Sequence, residues 1–384
     1  MTIQRLTAFW AAVGIAVTAA GTAEATPQFA RRHRVDCSYC HSAPPRLNEL
    51  GLRFLLNGYR LDASPAPTRT FPLAAWNTFD VEFRHSIDLV KGFPGRVELI
   101  SAGPVGRTRA AYFAEWRTLS QNIGGNRRLL NRSGRFEDLF LNVPLTRGNA
   151  LALTVGQFRG LMQVDVSQRL SLSEPLVFSS GLAGRRATTA RVTSLRSFSA
   201  SGRQPAVRVE YRAAGSQSPA DGWFGAATVP LTGELTVPFT DAASFELEGR
   251  PKGVFLELYR RSGLTSVGGH AFLGEGQRRL ATGVVAHEVN RRVAVLAGIG
   301  RFHAAGATDT RFSAGGEFTV TPQIIGGLRV DHRTAQGRDP IVLVYGNVHL
   351  PFGPEAFRQA LRIQIEHRIE ASNRISALAL SHIF

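Results

Sequence analysis

Sulfur is scarce in this chain, with two cysteines and two methionines in 384 residues, and both cysteines fall inside one pentapeptide. With cysteine confined to Cys37 and Cys40, a multi-bridge disulfide scaffold is excluded. Long apolar runs are scarce too. Beyond Ala25 no stretch reaches the ~20 apolar residues that a spanning helix needs. The mature chain is therefore either soluble or crosses a membrane as strands. The patterns G-x-x-x-x-G-K-[ST], H-E-x-x-H and G-x-S-x-G are all missing, which removes P-loop, zincin and α/β-hydrolase chemistry. No RRM, OB or helix-turn-helix signature accompanies the formal charge of +16, so nucleic acid is not an expected partner.

What is present begins with a basic Arg5, the apolar core LTAFWAAVGIAVTAA and the small residues Ala23 to Ala25. This reads as a secretory signal over residues 1–25, with export of a chain that starts near Thr26. Outside the cytoplasm, 45 Lys+Arg against 29 Asp+Glu, with arginine heavily dominant, suits anionic lipid headgroups, anionic solutes or an acidic redox protein.

The pentapeptide Cys37, Ser38, Tyr39, Cys40, His41 has the C-x-x-C-H spacing of c-type haem attachment. Two thiols add to the porphyrin vinyl groups, and the adjacent histidine reaches the iron as axial ligand. A thioredoxin-like site would need a βαβ unit, a zinc site further Cys or His at ligand spacing, and a plain disulfide would leave His41 unexplained. One covalent haem c is the expected cofactor. Downstream, Leu47, Leu50, Phe54, Leu55 and Tyr59 follow helical spacing between Pro44–Pro45 and Gly58, so an amphipathic helix is expected to pack on the porphyrin. For the distal position the candidates are His33, four residues before Cys37, then Met162, with water, Asn48 or an open site as the remaining options. The haem segment, residues 26–70, is too short to bury a cofactor alone.

Residues 71–384 repeat a different pattern. In FDVEFRHSIDLV, Phe79, Val81, Phe83, Ile87 and Leu89 alternate with polar residues. In VRVEYR, Val207, Val209 and Tyr211 alternate with Arg208, Glu210 and Arg212; Leu361, Ile363, Ile365 and Ile369 alternate with charges in the same way. These are period-two strands with one apolar and one densely charged face. The runs HEVNRRVAVLAGIGRF, TVTPQIIGGLRV and IEASNRISALAL suggest short turns on one rim, and FPGRVELISAGPVGRTR and GLAGRRATTA longer loops on the other. At about 20 residues per strand and connection, about 16 strands fit, with 14 or 18 as neighbouring solutions. His85, His270, His287, His303, His332, His349 and His367 lack ligand spacing and read as strand-face residues.

Taken together, FARRHRVDCSYCHSAPPRLNELGLRFLLNGYRL, the stretch VGQFRGLMQVDVSQRLSLSEP and the terminal RISALALSHIF resemble the fused cytochrome-porins of bacterial outer membranes. His382 departs from the apolar residue usual near that C-terminus, and Arg34, Val35 and Asp36 from the small residues usual before the first cysteine in the iron-oxidising branch. The resemblance implies a mainly β protein: a transmembrane antiparallel β-barrel preceded by a short α-helical monohaem cytochrome c segment. It further implies a haem held by Cys37, Cys40 and His41, and an outer-membrane location. The implied role is electron transfer from an extracellular donor such as ferrous iron to a periplasmic electron-carrier protein, in contact with outer-membrane lipid. An anion-preferring porin with a haem-bearing plug and a soluble periplasmic haem enzyme are the two other classes consistent with these residues.

Overall fold

The computed structural model of the chain describes residues 29, 32–33, 35, 37–43, 46–48, 50–51, 54, 59, 73–83, 87–89, 91–106, 108–123, 129–131, 134–146, 149–159, 177, 203–214, 221–231, 253–274, 279–290, 292–304, 307–321, 323–334, 340–352, 359–370 and 373–383. The signal segment, Met162, His85 and Phe384 lie outside these. Near the N-terminus stand a one-turn helix, α1 (Cys37–Cys40), and a two-stranded sheet of β1 (His41–Ala43) and β2 (Arg46–Leu47).

Everything else described as strand forms one closed antiparallel barrel. Its first half is β3 (Leu73–Phe83), β4 (Ile87–Leu89), β5 (Lys91–Pro104), β6 (Ala111–Ile123), β7 (Leu129–Asn131), β8 (Arg135–Pro144), β9 (Leu151–Arg159), β10 (Arg203–Ala214) and β11 (Gly222–Pro230). The second half is β12 (Gly253–Ser262), β13 (Thr265–Gly274), β14 (Arg279–Glu288), β15 (Val293–Ala304), β16 (Ala307–Thr321), β17 (Ile324–Arg333), β18 (Ile341–Phe352), β19 (Gln359–Glu370) and β20 (Asn373–Ile383). β4 shares a wall position with β5, and β7 with β8, so the eighteen segments make sixteen staves. β20 pairs with β3, Leu380 beside Phe79, which closes the sheet and removes its edges.

The alternation explains which way each face points. Arg208 and Glu210 are fully buried, whereas Val209 and Tyr211, which alternate with them, are 43% and 54% exposed. Leu256, Leu258, Ile299, Leu328 and Val344 are exposed in the same manner, while Glu257, Arg329 and Asp331 are buried. The apolar face is on the outside and the charges are inside, the inverse of a water-soluble sandwich. Only a hydrocarbon surround makes that arrangement favourable, so this is an outer-membrane barrel. Oppositely charged residues two apart share the inner face. Arg311 pairs with Asp309 at 2.7 Å and Arg329 with Asp331 at 3.0 Å.

Arg208 is engaged from several sides. Its Nε donates to Thr228 Oγ1 at 2.8 Å, its guanidinium lies 3.9 Å from Glu257 and 4.0 Å from Glu210, and it stands 4.8 Å over the Phe158 ring. Arg208→Ala would remove a buried cation from beside Glu257 and Glu210, of which Glu210 keeps Arg212, and urea unfolding in vesicles is expected to show a loss of about 3 kcal/mol. Arg208→Met combined with Glu257→Leu is expected to recover much of it, since the uncompensated charge goes with its partner.

The termini define one rim. Ile383 lies beside Trp76 near the start of β3. The connections on that rim are short: Val105–Ala110, Leu145–Ala150, 215–221, Gly263–Leu264, 289–292, 322–323 and 353–358. The opposite rim carries the two longest, 160–202 and 231–252. By the habit of such barrels the termini rim is periplasmic.

Three sequence expectations change here. FPGRVELISAGPVGRTR is not a long loop but largely β5, whose Pro94 and Gly95 sit where its register with β6 shifts, as bulged strands allow, and whose Gly103 and Pro104 stand at its end. FDVEFRHSIDLV is a tight hairpin rather than one strand, because Val81 pairs with Leu89 and Phe83 with Ile87. The short turn in IEASNRISALAL, at 371–372, lies on the rim of long connections.

Chain also enters the lumen from the long-connection side. Val177 belongs to the 160–202 connection between β9 and β10, yet it is buried against β14, β15 and β16. Its carbonyl accepts from Thr282 Oγ1 at 3.2 Å and its amide donates to Ser313 Oγ at 3.4 Å. Gly298 and Gly300 leave room for it: a Cβ on either would stand 3.2 or 3.3 Å from Val177 atoms.

Candidate functional site

The site is built from the pentapeptide outward. Cys37–Cys40 form α1, and β1 turns back on β2 with His41 opposite Leu47. Leu47 is therefore a strand residue and not the first of a helix. Of the helix expected from Leu47 to Tyr59, the described positions Leu50, Gly51 and Phe54 are helical, and Leu55 and Gly58 lie outside the described residues.

Asn48 locks this turn. Its backbone amide donates to the Cys40 carbonyl at 2.9 Å, its Nδ2 donates to the Tyr39 carbonyl at 3.0 Å, and its Oδ1 accepts from the Gly51 amide at 2.9 Å. Both ends of the Asn48 side-chain amide thus take part in shaping the motif. Gly51 is required by contact, since a Cβ there would lie 2.0 Å from the Cys40 carbonyl oxygen.

Aromatic rings then fasten the segment to the barrel. Phe29 meets Phe54 edge-on at 4.9 Å and stacks on Tyr59 at 5.4 Å, with 8° between the planes. Tyr59 stacks on its other side against Phe113 of β6 at 5.6 Å. Phe54 and Tyr59 are buried together with Ala102 of β5 and Ala111 of β6. Ala102 and Phe113 are register partners on the inner face, in line with the buried Glu98, Glu115 and Arg117. The dock is therefore the lumen wall, at the termini rim. Tyr59 holds φ at 61°, a conformation unfavourable for a bulky residue, and its ring is sandwiched on both faces. Beyond Phe113 the stripe continues around the wall through Phe140 at 5.5 Å and Phe158 at 5.9 Å.

His33 meets the edge of Phe54 at 5.5 Å, and its Nε2 is buried without a hydrogen-bond partner. Burial, and secondarily the neighbouring Arg32 cation, lower its pKa from 6.5 to about 4. The imidazole is neutral at physiological pH, as an iron ligand must be. Cys40 is half-buried with a free thiol, and burial raises its pKa. Phe54, which His33 touches, lies one helical turn beyond Gly51, which touches Cys40, so His33 and the motif belong to one cluster. Met162 lies outside the described residues.

A residue set with a free thiol beside a histidine, a second neutral histidine with an orphaned nitrogen, and a wall of aromatic rings fits a c-type haem. The rings at Phe29 and Phe113 and the alanines at 102 and 111 had no signal in the sequence that marked them as site residues. A second group deserving description lies deeper on the wall: the buried Glu98, Glu115 and Glu137 bring carboxylate oxygens within 4.8 Å of one another. Arg117 pairs with Glu98 at 3.6 Å and with Glu137, so this group already has its cation. The histidines on strands behave as expected: His287, His303 and His367 bond Thr265, Thr308 and Ser376 at 2.8, 2.9 and 2.9 Å.

Among solved structures, the fold is similar to OmpF of Salmonella typhi in complex with daunomycin, at 8% identity over 81% of this chain and 97% of that one, with a TM-score of 0.50. OmpT of Vibrio cholerae, in a loop L8 deletion mutant, aligns at 10% identity over 81% and 97%, TM-score 0.45. The outer membrane channel DcaP of Acinetobacter baumannii aligns at 11% over 81% and 96%, TM-score 0.44. No protein-family model matches the chain, and no curated protein matches it.

Proposed function

We propose that the protein carries electrons across the outer membrane through one covalent haem c housed at the periplasmic mouth of the barrel. The observation that carries this reading is the docking of the C-x-x-C-H segment on the lumen wall, through Phe54, Tyr59, Ala102 and Ala111. Haem would supply a one-electron redox centre inside an insulating membrane. Cys37 and Cys40 would hold it by thioethers, and His41 would bind the iron. His33, neutral and with a buried nitrogen free to donate its lone pair, is the second axial ligand in this reading; Met162 is the weaker candidate. Phe29, Phe54 and Tyr59 exclude water from one side of the site, and Asn48 fixes the turn from which His41 projects. The outer donor, ferrous iron or another extracellular reductant, and the periplasmic acceptor follow from the resemblance to the fused cytochrome-porins.

A second reading, a solute channel whose plug bears the haem, is favoured by the sixteen-stave barrel itself. An anion preference fits it less well. Among the described residues the buried charged side chains are nine acids, Glu98, Glu115, Glu137, Asp138, Glu210, Glu257, Asp309, Asp331 and Glu366, against six arginines. The lumen also receives chain from both ends, the haem segment at one wall and Val177 at another.

Electron paramagnetic resonance with a redox titration on detergent-extracted protein tests the ligation. The expected spectrum is low-spin, converting to high-spin in His33→Ala with the haem still covalently attached. A low-spin signal unchanged by His33→Ala would remove His33 from the iron, and a His33→Met variant is expected to titrate at a higher potential than wild type.

A further inference from the structure

We infer that a phosphorylated lipid of the outer leaflet binds the outer wall of the barrel at Arg279 and Arg301. Among the described residues, the barrel strands carry three charged side chains on the outer face, Arg260, Arg279 and Arg301, and all are arginine. Arg260 belongs to the termini rim, where its guanidinium lies 5.5 Å over the Trp223 ring. The other two stand together at the opposite rim. Arg279 opens β14, and Arg301 lies near the end of β15. Both are exposed, whereas their chain neighbours Leu280, Gly300 and Phe302 are buried on the inner face. In the ladder Arg279 faces His303, which makes Arg301 its diagonal neighbour. Such neighbours stand about 7–8 Å apart, within joint reach of two long side chains.

Two cations this close repel each other unless an anion lies between them. Neither arginine has an ion-pair or ring partner among the described residues. Across the ladders they face Leu273, Ala281, His303 and Thr310, none of them acidic. His303 is itself engaged, hydrogen-bonded through Nδ1 to Thr308 Oγ1 at 2.9 Å. The hairpin that follows, HAAGAT, contains no acid either. The anion therefore comes from outside the chain. A phosphate monoester suits the pair, because its oxygens accept from both planar guanidinium forks and its charge removes the repulsion.

The wall below makes the ligand a lipid and not a solute. Two residues deeper than Arg301, about 7 Å along the strand, Ile299 is exposed, and Val285 and Val295 continue the apolar band. That band faces acyl chains, so the arginines sit where hydrocarbon gives way to headgroups. With the termini rim periplasmic, the headgroups here are those of the outer leaflet. A molecule that satisfies both the forks and the band carries phosphate on an acylated head, as lipid A does.

Native mass spectrometry of the full holoprotein in detergent micelles tests this, with diphosphorylated lipid A as the probe and phosphatidylcholine as the zwitterionic comparison. Lipid A is expected to bind at least about tenfold more tightly than phosphatidylcholine. R279Q/R301Q, checked for its folded, heat-modifiable band, is expected to weaken lipid A binding by about tenfold or more. R279K/R301K is expected to weaken it less, since the charge stays and only the fork is lost. R260Q is expected to stay within about twofold of wild type, because its arginine lies at the other rim. Equal lipid A binding by wild type and R279Q/R301Q overturns the proposal. So does an equal loss in R260Q, which would reduce the effect to the attraction of any surface arginine. Displacement of lipid A by about 10 mM inorganic phosphate as complete as by excess lipid A would assign the pair to a solute and overturn it as well. The readout does not need haem: a haem-free Cys37→Ala/Cys40→Ala protein is expected to bind lipid A like wild type, so failure of the haem reading and failure of this site give different results.

Discussion

Replacing Cys37 and Cys40 together by alanine is expected to give a folded, heat-modifiable barrel with no covalently attached haem, a loss of at least about a hundredfold in haem that survives acid–acetone extraction. The barrel closes through β20 on β3 and holds its shape by ladder hydrogen bonds and buried ion pairs, none of which involves the motif. The segment itself is fastened by Phe54, Tyr59 and Asn48, which the substitutions leave in place. The haem stain on a denaturing gel should vanish while the folded band stays. A stain that persists in the double variant would show that the thiols are not the attachment points.

Removing residues 26–70 is expected to have the other large effect. The full chain docks the stacked Phe29 and Tyr59 rings on Phe113 at one wall of the periplasmic mouth, and the haem segment is expected to narrow the lumen there, so planar-bilayer recordings should show little conductance. Without the segment, the inner face at Ala102, Phe113 and Ala111 is bared to a polar lumen lined by Arg208, Glu210 and Glu257. Conductance is expected to rise by about tenfold or more, toward that of an open sixteen-strand channel. With nine buried acids against six arginines among the described residues, the opened lumen should not prefer anions. Equal conductance of the two chains would mean that the segment does not occlude the lumen. Tyr59→Ala offers a milder version, because it removes the ring that stacks on Phe29 and Phe113.

The barrel was legible in the sequence because its physics is local. In VRVEYR each side chain's face follows from parity alone, and Arg208 and Glu210 do point inward while Val209 and Tyr211 face out. Parity also hid one turn. Phe83 and Ile87 are separated by three residues, an odd loop that keeps the alternation in phase, so the hairpin of β3 and β4 reads as one strand. β5 was obscured by composition: Gly92, Pro94 and Gly95 look like loop residues but lie where the register with β6 shifts, and Gly103 and Pro104 close the strand. The motif itself was plain from spacing. Its dock was not, since Ala102 and Ala111 are ordinary small strand residues until the chain folds back on them. Nor did the sequence show that Asn48 bonds Tyr39 and Gly51 to shape the motif turn. Long-range contacts of this kind leave no period in a sequence. Val177 is another instance, a single apolar residue in a Ser- and Arg-rich connection that reaches β14, β15 and β16.

The most direct measurement is electron flow through sealed proteoliposomes that contain reduced methyl viologen, with a membrane-impermeant ferric chelate added outside. Wild-type protein is expected to oxidise the trapped dye at once, and the haem-free Cys37→Ala/Cys40→Ala protein, reconstituted at the same density, to leave it reduced. Equal oxidation rates for the two would contradict the account, because the barrel would then pass redox equivalents with or without the group its N-terminal segment is built to carry.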